Sequence, residues 1–221
     1  MAKGAIEAAE QREEAQEANP PLLPAVPSDR KESSRERLLS AGASAFCARG
    51  YFPVSVEDIA SAAGVSRMTF YRHFTGKAEL AAELFRRSSG MAEPHYLAIA
   101  QTDYHDREVV RGWMESLFSA DRQRRHLLRV FIQANVDAPA FSEAGHGFID
   151  GLAAKLGEHI PAFANGGSDG GGRRRHVEAW LLLYDILNHS NHAALGSGIA
   201  TDPLTIDILA DRFSDFVERH P

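Results

Sequence analysis

Two short apolar repeats, each opened by a serine and separated by a glycine, constrain the fold of this chain more than any other feature. In the segment SVEDIASAAGVSRMTFYRHF, residues 55–74, the apolar positions recur at intervals of three and four, which predicts two amphipathic helices. Ser55 and Ser66 are predicted N-caps, with Asp58 at the capping-box position of the first. Gly64 tolerates the positive φ that a tight turn requires. The segment therefore predicts a helix-turn-helix.

The second of these helices has one apolar side and one polar side. Phe70 and Phe74 lie one turn apart, and Ala60 supplies the small side chain that two steeply crossing helices need where they meet. An ordinary helical hairpin would show the same buried positions. The polar residues on the other side favour DNA recognition, because the N-terminal end of such a helix enters the major groove.

The apolar pattern of the rest of the chain is helical throughout. Beyond Gly90 every repeat has a period of 3.6, and none alternates as a strand does, so the predicted fold is all-α. The first residues are rich in Ala, Glu, Gln and then Pro, which is typical of a disordered arm. The sequence predicts three parts, namely a disordered arm at 1–32, a helix-turn-helix DNA-binding domain at 33–76, and a helical domain at 77–221, to which the family resemblance given below assigns effector binding and dimerisation.

Two features near the C-terminus concern self-association. The stretch NGGSDGGGRRR, residues 165–175, has the composition of a flexible linker, and no strand precedes it as a phosphate loop would require. The helix that follows is apolar nearly all round, with one stripe through Val177 and Leu181 and another through Leu182. A helix of that kind is buried on every side. We therefore expect a homodimer formed through residues 173–196 and 202–219.

The net charge of −6 is unevenly distributed along the chain. Residues 1–30 carry three Lys/Arg and six Asp/Glu (−3), residues 31–87 carry nine and six (+3), and residues 88–221 carry twelve and eighteen (−6). Only the segment that holds the helix-turn-helix is basic. Because phosphate contacts need local positive charge, the distribution restricts DNA binding to that segment.

The stretch RERLLSAGASAFCARGYFPVSVEDIASAAGVSRMTFYRHFTGKAELAAELF resembles the TetR family of transcriptional regulators over about fifty residues. The motifs that carry the resemblance are the RGY that ends the first helix, SVEDIASAAGVS, TFYRHF and GKAEL. The resemblance implies a homodimer of helical subunits whose last two long helices form the interface. It also implies a C-terminal domain that binds a small-molecule inducer, and hence a repressor released from a palindromic double-stranded DNA operator. Activation is the alternative output.

Chemistry and resemblance together assign roles within the basic segment. Arg67 suits guanine and Met68 a thymine methyl, although many family members carry a small residue where Met68 stands. Ser66 caps the recognition helix. The predicted base-reading residues are Arg67, Met68 and Arg72. The predicted phosphate contacts are Ser55, Thr69, Tyr71, His73 and Lys77.

Two other functional classes would have different sequence signatures. An enzyme is disfavoured because the sequence has no nucleophile elbow, no HExxH motif and no nucleotide fingerprint. An architectural DNA-binding protein without an effector is distinguished by whether residues 90–195 hold a large apolar pocket. Each candidate lining residue is equally compatible with a place in the core. The candidates are Trp113, Phe118, Phe131, Trp180 and Tyr184.

The remaining chemistry-bearing residues favour structural interpretations. His189 and His192, with His176, invite a metal site, but no matching third ligand is indicated, so we expect neither metal nor cofactor. The single cysteine, Cys47, is interpreted as a packed thiol rather than a redox sensor. No apolar run reaches the length of a membrane span, and the acidic N-terminus lacks the pattern of a signal peptide. We therefore expect a cytoplasmic protein without membrane contact.

Overall fold

The computed structural model describes residues 33–137, 139–164, 170–196 and 198–221, which contain nine α-helices, three short 3-10 helices and no strand. The predicted all-α fold is confirmed. The predicted disordered arm, residues 1–32, lies outside the described residues. The helices are α1 (Ser34–Arg49), α2 (Val56–Ala62), α3 (Arg67–His73), α4 (Lys77–Leu97), α5 (Arg107–Gln123), α6 (Arg125–Asp137), α7 (Pro139–Leu156), α8 (Gly170–Ala194) and α9 (Pro203–Arg219).

The buried apolar side chains form two separate clusters. The first, which we call the head cluster, unites α1, α2 and α3 with the N-terminal half of α4 and with the inner face of α6. The second, the body cluster, combines the end of α4 with α5, α7, α8 and α9. Helix α6 was predicted as part of the C-terminal domain, and its buried residues pack with the head. These residues are Leu127, Val130, Phe131 and Ala134.

Helix α4 connects the two clusters. Leu80 and Leu84 are buried in the head cluster, and Tyr96, about three turns after Leu84, is buried in the body cluster. A Cβ at Gly42 of α1 would lie 2.5 Å from Cδ2 of Leu80, so the glycine permits the close packing of α1 on α4. Arg87 of α4 also donates hydrogen bonds of 2.7 and 2.8 Å to the carboxylate of Glu36 in α1. The head is therefore fixed on the first half of α4.

The predicted linker at 165–175 is wrong over its second half. Helix α8 begins at Gly170, so residues 170–175 are helical, whereas 165–169 lie outside the described residues. Glycine is the poorest helix former after proline, and composition alone therefore favoured a loop. Tertiary packing overrides this propensity, because Gly172 is buried and Ala179 and Leu182 belong to the body cluster.

Candidate nucleic-acid interface

The start of α2 is fixed by a complete capping box, as predicted. The Ser55 hydroxyl accepts a hydrogen bond from the Asp58 amide at 3.1 Å, and the Asp58 carboxylate accepts one from the Ser55 amide at 2.9 Å. The hydrogen bonds from the Ser55 backbone and side chain, with the nearby Arg49, lower the pKa of Asp58. Ser55 is exposed at the N-terminus of α2.

The turn between α2 and α3 also follows the predicted chemistry. Gly64 has a φ of 64°, and the Val65 amide donates to the Ala60 carbonyl at 2.9 Å. Ser66 then caps α3, since its hydroxyl accepts from the Thr69 amide at 3.1 Å. These contacts orient α3 across α2, which is the geometry of a helix-turn-helix.

Helix α3 buries its aromatic side and exposes its polar side. Phe70 and Phe74 are buried in the head cluster, with ring centroids 5.8 Å apart. On the opposite side Met68 is 79% exposed and Tyr71 is 47% exposed. Arg67, Arg72 and Ser66 are exposed as well, whereas Thr69 and His73 are half-buried. The structure therefore places the predicted contact residues of α3 on or beside one solvent-facing surface.

The two arginines of this surface differ in their surroundings. Nη1 of Arg67 lies 2.5 Å from the carboxylate of Glu57 in α2, and the guanidinium stands 5.9 Å from the ring centre of Tyr71. A hydrogen bond with Tyr71 and the charge of Glu57 both raise the pKa of Arg67. Arg72 is exposed and has no ion-pair partner among the described residues. Arg72 is therefore the arginine of α3 that can reach an anion without first releasing a carboxylate.

Lys77 has a structural role that sequence reasoning missed. Its ammonium group donates hydrogen bonds of 3.1 Å to the carbonyls of Tyr51, Phe52 and Val54, and it lies 4.4 Å from the ring centre of Tyr51. These partners precede Lys77 by more than twenty residues and are backbone atoms, so no side-chain pattern signals them. The predicted phosphate contact of Lys77 remains a prediction, and all three of its N–H donors are engaged within the head.

A cavity of about 310 Å³ lies between α6, α7 and α8, with Phe85 of α4 at one side. Of the five aromatic residues predicted for a pocket, it contains Phe131 and Tyr184. Trp113 and Phe118 lie instead in the body cluster, where the Trp113 indole donates to the His95 carbonyl at 2.9 Å. Trp180 stacks on Tyr184 at 5.3 Å outside the lining of this cavity. The aromatic residue types predicted places in the interior of the protein. They did not show which of the five side chains line a cavity.

Helices α8 and α9 expose one apolar surface, which we call the α8–α9 face. On α8 the exposed members belong to the apolar stripe through Val177 and Leu181 that the sequence predicts. Leu182, Leu183 and Ile186 of the same helix are buried in the core. Ion pairs border this surface, with Arg212 bound to Asp185 at 2.7 Å and Arg219 to Glu178 at 2.9 Å. The exposed members are Val177, Leu181, Tyr184, Leu204 and Ile208, between 41% and 61% accessible.

Other candidate sites can be placed briefly. The ring Nδ1 of His189 lies 2.8 Å from the carbonyl of Asp185, and within the described ranges no three His, Cys, Asp or Glu side chains group so as to hold a metal ion. Cys47 is half-buried beside the head cluster, and burial raises its pKa to about 11. Among the helices that the structure describes, none is long and apolar enough to cross a membrane.

Comparison with known proteins agrees with this geometry. Residues 38–84 match the family model described as bacterial regulatory proteins, tetR family. The chain is 28% identical over 112 residues to the uncharacterized HTH-type transcriptional regulator YwcC of Bacillus subtilis (strain 168). That match covers 51% of this chain and 47% of the relative, so it spans about half the length of YwcC.

Two solved structures share the fold over most of the chain. A transcriptional regulator of Streptomyces coelicolor A3(2) superposes with a TM-score of 0.60 at 23% identity, covering 83% of this chain and 99% of the other. FadR of Thermus thermophilus, a TetR-family transcriptional repressor in complex with lauroyl-CoA, superposes with a TM-score of 0.52 at 20% identity, covering 83% and 91%. The family match therefore identifies the helix-turn-helix of this chain as one of the tetR-family type, and the two structures share its fold over most of the chain.

Proposed function

We propose that this protein is a homodimeric repressor that binds a palindromic operator through α3 of each subunit and is released by a small-molecule ligand. The observation that carries the proposal is the solvent-facing polar surface of α3, which is held outward by the buried pair Phe70 and Phe74. Such a helix fits the major groove with its N-terminal residues against base edges. A repressor needs only to occupy its operator, whereas an activator must also contact the transcription machinery.

The proposed division of labour within the head follows from exposure and charge. Met68 is 79% exposed, Arg72 is exposed, and Arg67 is accessible beside Glu57, which supports base contacts by these three. Backbone phosphates are assigned to the surrounding polar groups. These are Ser55, Ser66, Thr69, Tyr71, His73 and Lys77, of which Lys77 acts chiefly by holding the loop at residues 51–54.

The proposed dimer uses the α8–α9 face. Contiguous exposed apolar surface on a helical protein marks an interaction site, and in a two-fold dimer the same face contacts itself. The acidic and basic side chains beside this face form ion pairs within the subunit. The face therefore has an apolar centre and a polar rim, as protein interfaces commonly do. Two heads held in this way read half-sites about 34–36 Å apart.

The cavity between α6, α7 and α8 is the proposed effector site. It has the size of a small-ligand pocket, and it combines aromatic and aliphatic walls with amide and imidazole groups from Asn188, Asn191 and His192. Its described lining holds no Lys, Arg, Asp or Glu. The T. thermophilus protein of the same fold binds lauroyl-CoA. A lining without Lys, Arg, Asp or Glu favours an uncharged effector over one that carries phosphates.

Selection of bound duplexes from a random double-stranded DNA library tests the proposal. We expect an enriched palindrome whose half-sites lie one helical turn apart. Arg72→Ala should relax base preference at one position of each half-site and cost about 1–3 kcal/mol of binding free energy. Arg122→Ala, an exposed arginine of α5, is the matched control and should bind as the wild type does. Enrichment without sequence preference would support an architectural role instead.

The sign of regulation needs a second measurement. A reporter gene placed behind the selected operator should be expressed more strongly when the protein is deleted. Lower expression on deletion would identify an activator, the alternative output.

A further inference from the structure

Helix α6 contacts both the head and the proposed effector cavity. Leu127, Val130 and Ala134 are buried in the head cluster, Ile132 lines the cavity, and Leu128 lines the cavity while packing against the head cluster. Phe131 contributes to both, since its ring is buried in the head cluster and borders the cavity. The helix has only 13 residues, so a displacement on its cavity side moves its head side as well.

One polar residue of α6 reaches the backbone of the head. The side-chain carbonyl of Gln133 accepts a hydrogen bond of 2.8 Å from the amide of Tyr51, 82 positions earlier in the chain. Tyr51 opens the loop between α1 and α2, directly after Gly50 with its φ of 84°. The side chain of Tyr51 is fully buried in the head cluster, so this amide belongs to a well-packed part of the loop.

The loop at residues 51–54 is held from two directions. Lys77 of α4 binds the carbonyls of Tyr51, Phe52 and Val54, and Gln133 of α6 binds the amide of Tyr51. The loop ends at Ser55, the N-cap of α2, and α2 packs on α3. A movement of α6 relative to α4 therefore changes the position of the helix-turn-helix at its first residue.

We propose that Gln133 is a positioning residue that couples occupancy of the cavity to the pose of the DNA-binding head. The coupling rests on the proposed function, because it needs both the operator and the cavity. A molecule between α6, α7 and α8 displaces α6, and Gln133 transmits the displacement to the Tyr51 amide. An effector weakens operator binding only through such a difference between the two states.

A substitution that fills the cavity replaces the unidentified effector in the test. Gly145 of α7 lines the cavity, and a Cβ there would meet no atom within 4 Å, so Gly145→Trp introduces an indole into open space. Asp150→Trp, on an exposed position of the same helix, controls for the added ring. Operator affinity is measured on the duplex selected by the wild-type protein.

Three variants test the hydrogen bond itself. Gln133→Met keeps the length of the side chain but removes the acceptor, whereas Gln133→Glu keeps an acceptor for the Tyr51 amide. Gln123→Met makes the same change at an exposed glutamine of α5. Gln133→Met alone should change operator affinity by less than about fivefold, the scale of one neutral hydrogen bond. Hydrogen exchange of the Tyr51 amide should become faster in Gln133→Met only.

The expected result is a strongly non-additive double-mutant cycle. Gly145→Trp should weaken operator binding by about fivefold or more when Gln133 is present, and by less than about twofold in Gln133→Met. Gln133→Glu should restore the larger effect, and Gln123→Met should not reduce it. Additive effects, or a Gly145→Trp variant that binds as tightly as the wild type, would overturn the coupling. Failure to select any operator would overturn the proposed function instead, so the two failures are distinguishable.

Discussion

Glu57 of α2 binds the guanidinium of Arg67, the first residue of α3, across the turn of the helix-turn-helix, at 2.5 Å between Oε1 and Nη1. Both side chains are at least half exposed, at 50% and 61%, so solvent screens the pair and its stabilising free energy is small. Under the proposed function its larger effect concerns DNA binding, because the pair holds a carboxylate beside an arginine that is assigned to the operator.

Glu57→Gln should therefore tighten operator binding. Removing one negative charge beside Arg67 lowers the repulsion of phosphate and frees the guanidinium, which should raise affinity about two- to fivefold, the scale of an exposed ion pair. Base preference should be unchanged, since Arg67 is retained. Titration of labelled duplex at fixed salt measures the effect, with Glu218→Gln of α9 as the distant control. Weaker binding by Glu57→Gln would mean that Glu57 holds Arg67 in its binding pose.

The local chemistry of the head could be predicted from the sequence. The caps at Ser55 and Ser66 and the turn at Gly64 depend on residues within four positions of each other, so a short window contains all the information. The burial of Phe70 and Phe74 follows from helical spacing for the same reason.

Contacts between distant parts of the chain could not be predicted in this way. The carbonyls that bind Lys77 and the amide that binds Gln133 are backbone groups, which have no sequence signature. The helical period of the region beyond Gly90 could be predicted, but periodicity gives a buried side of a helix such as α6 and not the neighbour that covers it. Trp113 and Tyr184 looked alike as aromatic residues, and only the tertiary fold places one in the core and the other at the cavity.

Ser190→Ala should destabilise the body of the protein. The Ser190 hydroxyl is fully buried and donates a hydrogen bond of 2.6 Å to the carboxylate of Asp121, which is 3% exposed and also binds Arg124 at 2.8 Å. Loss of this donor leaves a buried carboxylate oxygen with one partner fewer, at a cost of about 1–3 kcal/mol. Urea unfolding measures the loss, and Ser116→Ala, an exposed serine of α5, should cost much less. Equal costs would mean that Asp121 is satisfied without Ser190.

Glu178 should give the C-terminal end of α9 a stability that disappears in acid. Hydrogen bonds from His220, Arg174 and Arg219 lower the pKa of Glu178 from 4.5 to about 2. A depressed pKa in the folded state stabilises the protein above the unfolded value of 4.5, and this contribution is lost as the pH falls through the folded value. The difference in unfolding free energy between wild type and Glu178→Gln should thus be constant near neutrality and shrink below pH 4.5. A difference independent of pH would contradict the assignment.

Cys47 should react slowly with thiol reagents in the folded protein. Burial raises its pKa to about 11, so the thiolate that reacts is scarce near neutral pH. A shift of two pKa units lowers the thiolate fraction about hundredfold, and the higher nucleophilicity of a more basic thiolate restores about tenfold, which leaves at least about a tenfold deficit. The rate of reaction with a chromogenic disulfide at about pH 8 measures this, and unfolding in urea should restore the rate of a free cysteine. Fast reaction of the folded protein would reopen a redox role.

Leu181→Glu should separate the proposed dimer without unfolding the subunit. Leu181 of the α8–α9 face is 52% exposed, so a carboxylate is tolerated in the free subunit but is costly once a partner covers it. A two-fold interface contains the position twice, and because about half of each leucine is already buried in the subunit, the lost burial amounts to about 1.5–3 kcal/mol, which is about tenfold to a hundredfold in the dissociation constant before the cost of burying two carboxylates is added. Sedimentation should show a wild-type dimer and a mutant monomer at micromolar concentration, with equal helical content by circular dichroism. Val136→Glu, on an 80% exposed position of α6, should remain dimeric. A dimeric Leu181→Glu would place the interface elsewhere, and the spacing of the two heads would then have to be set by another face.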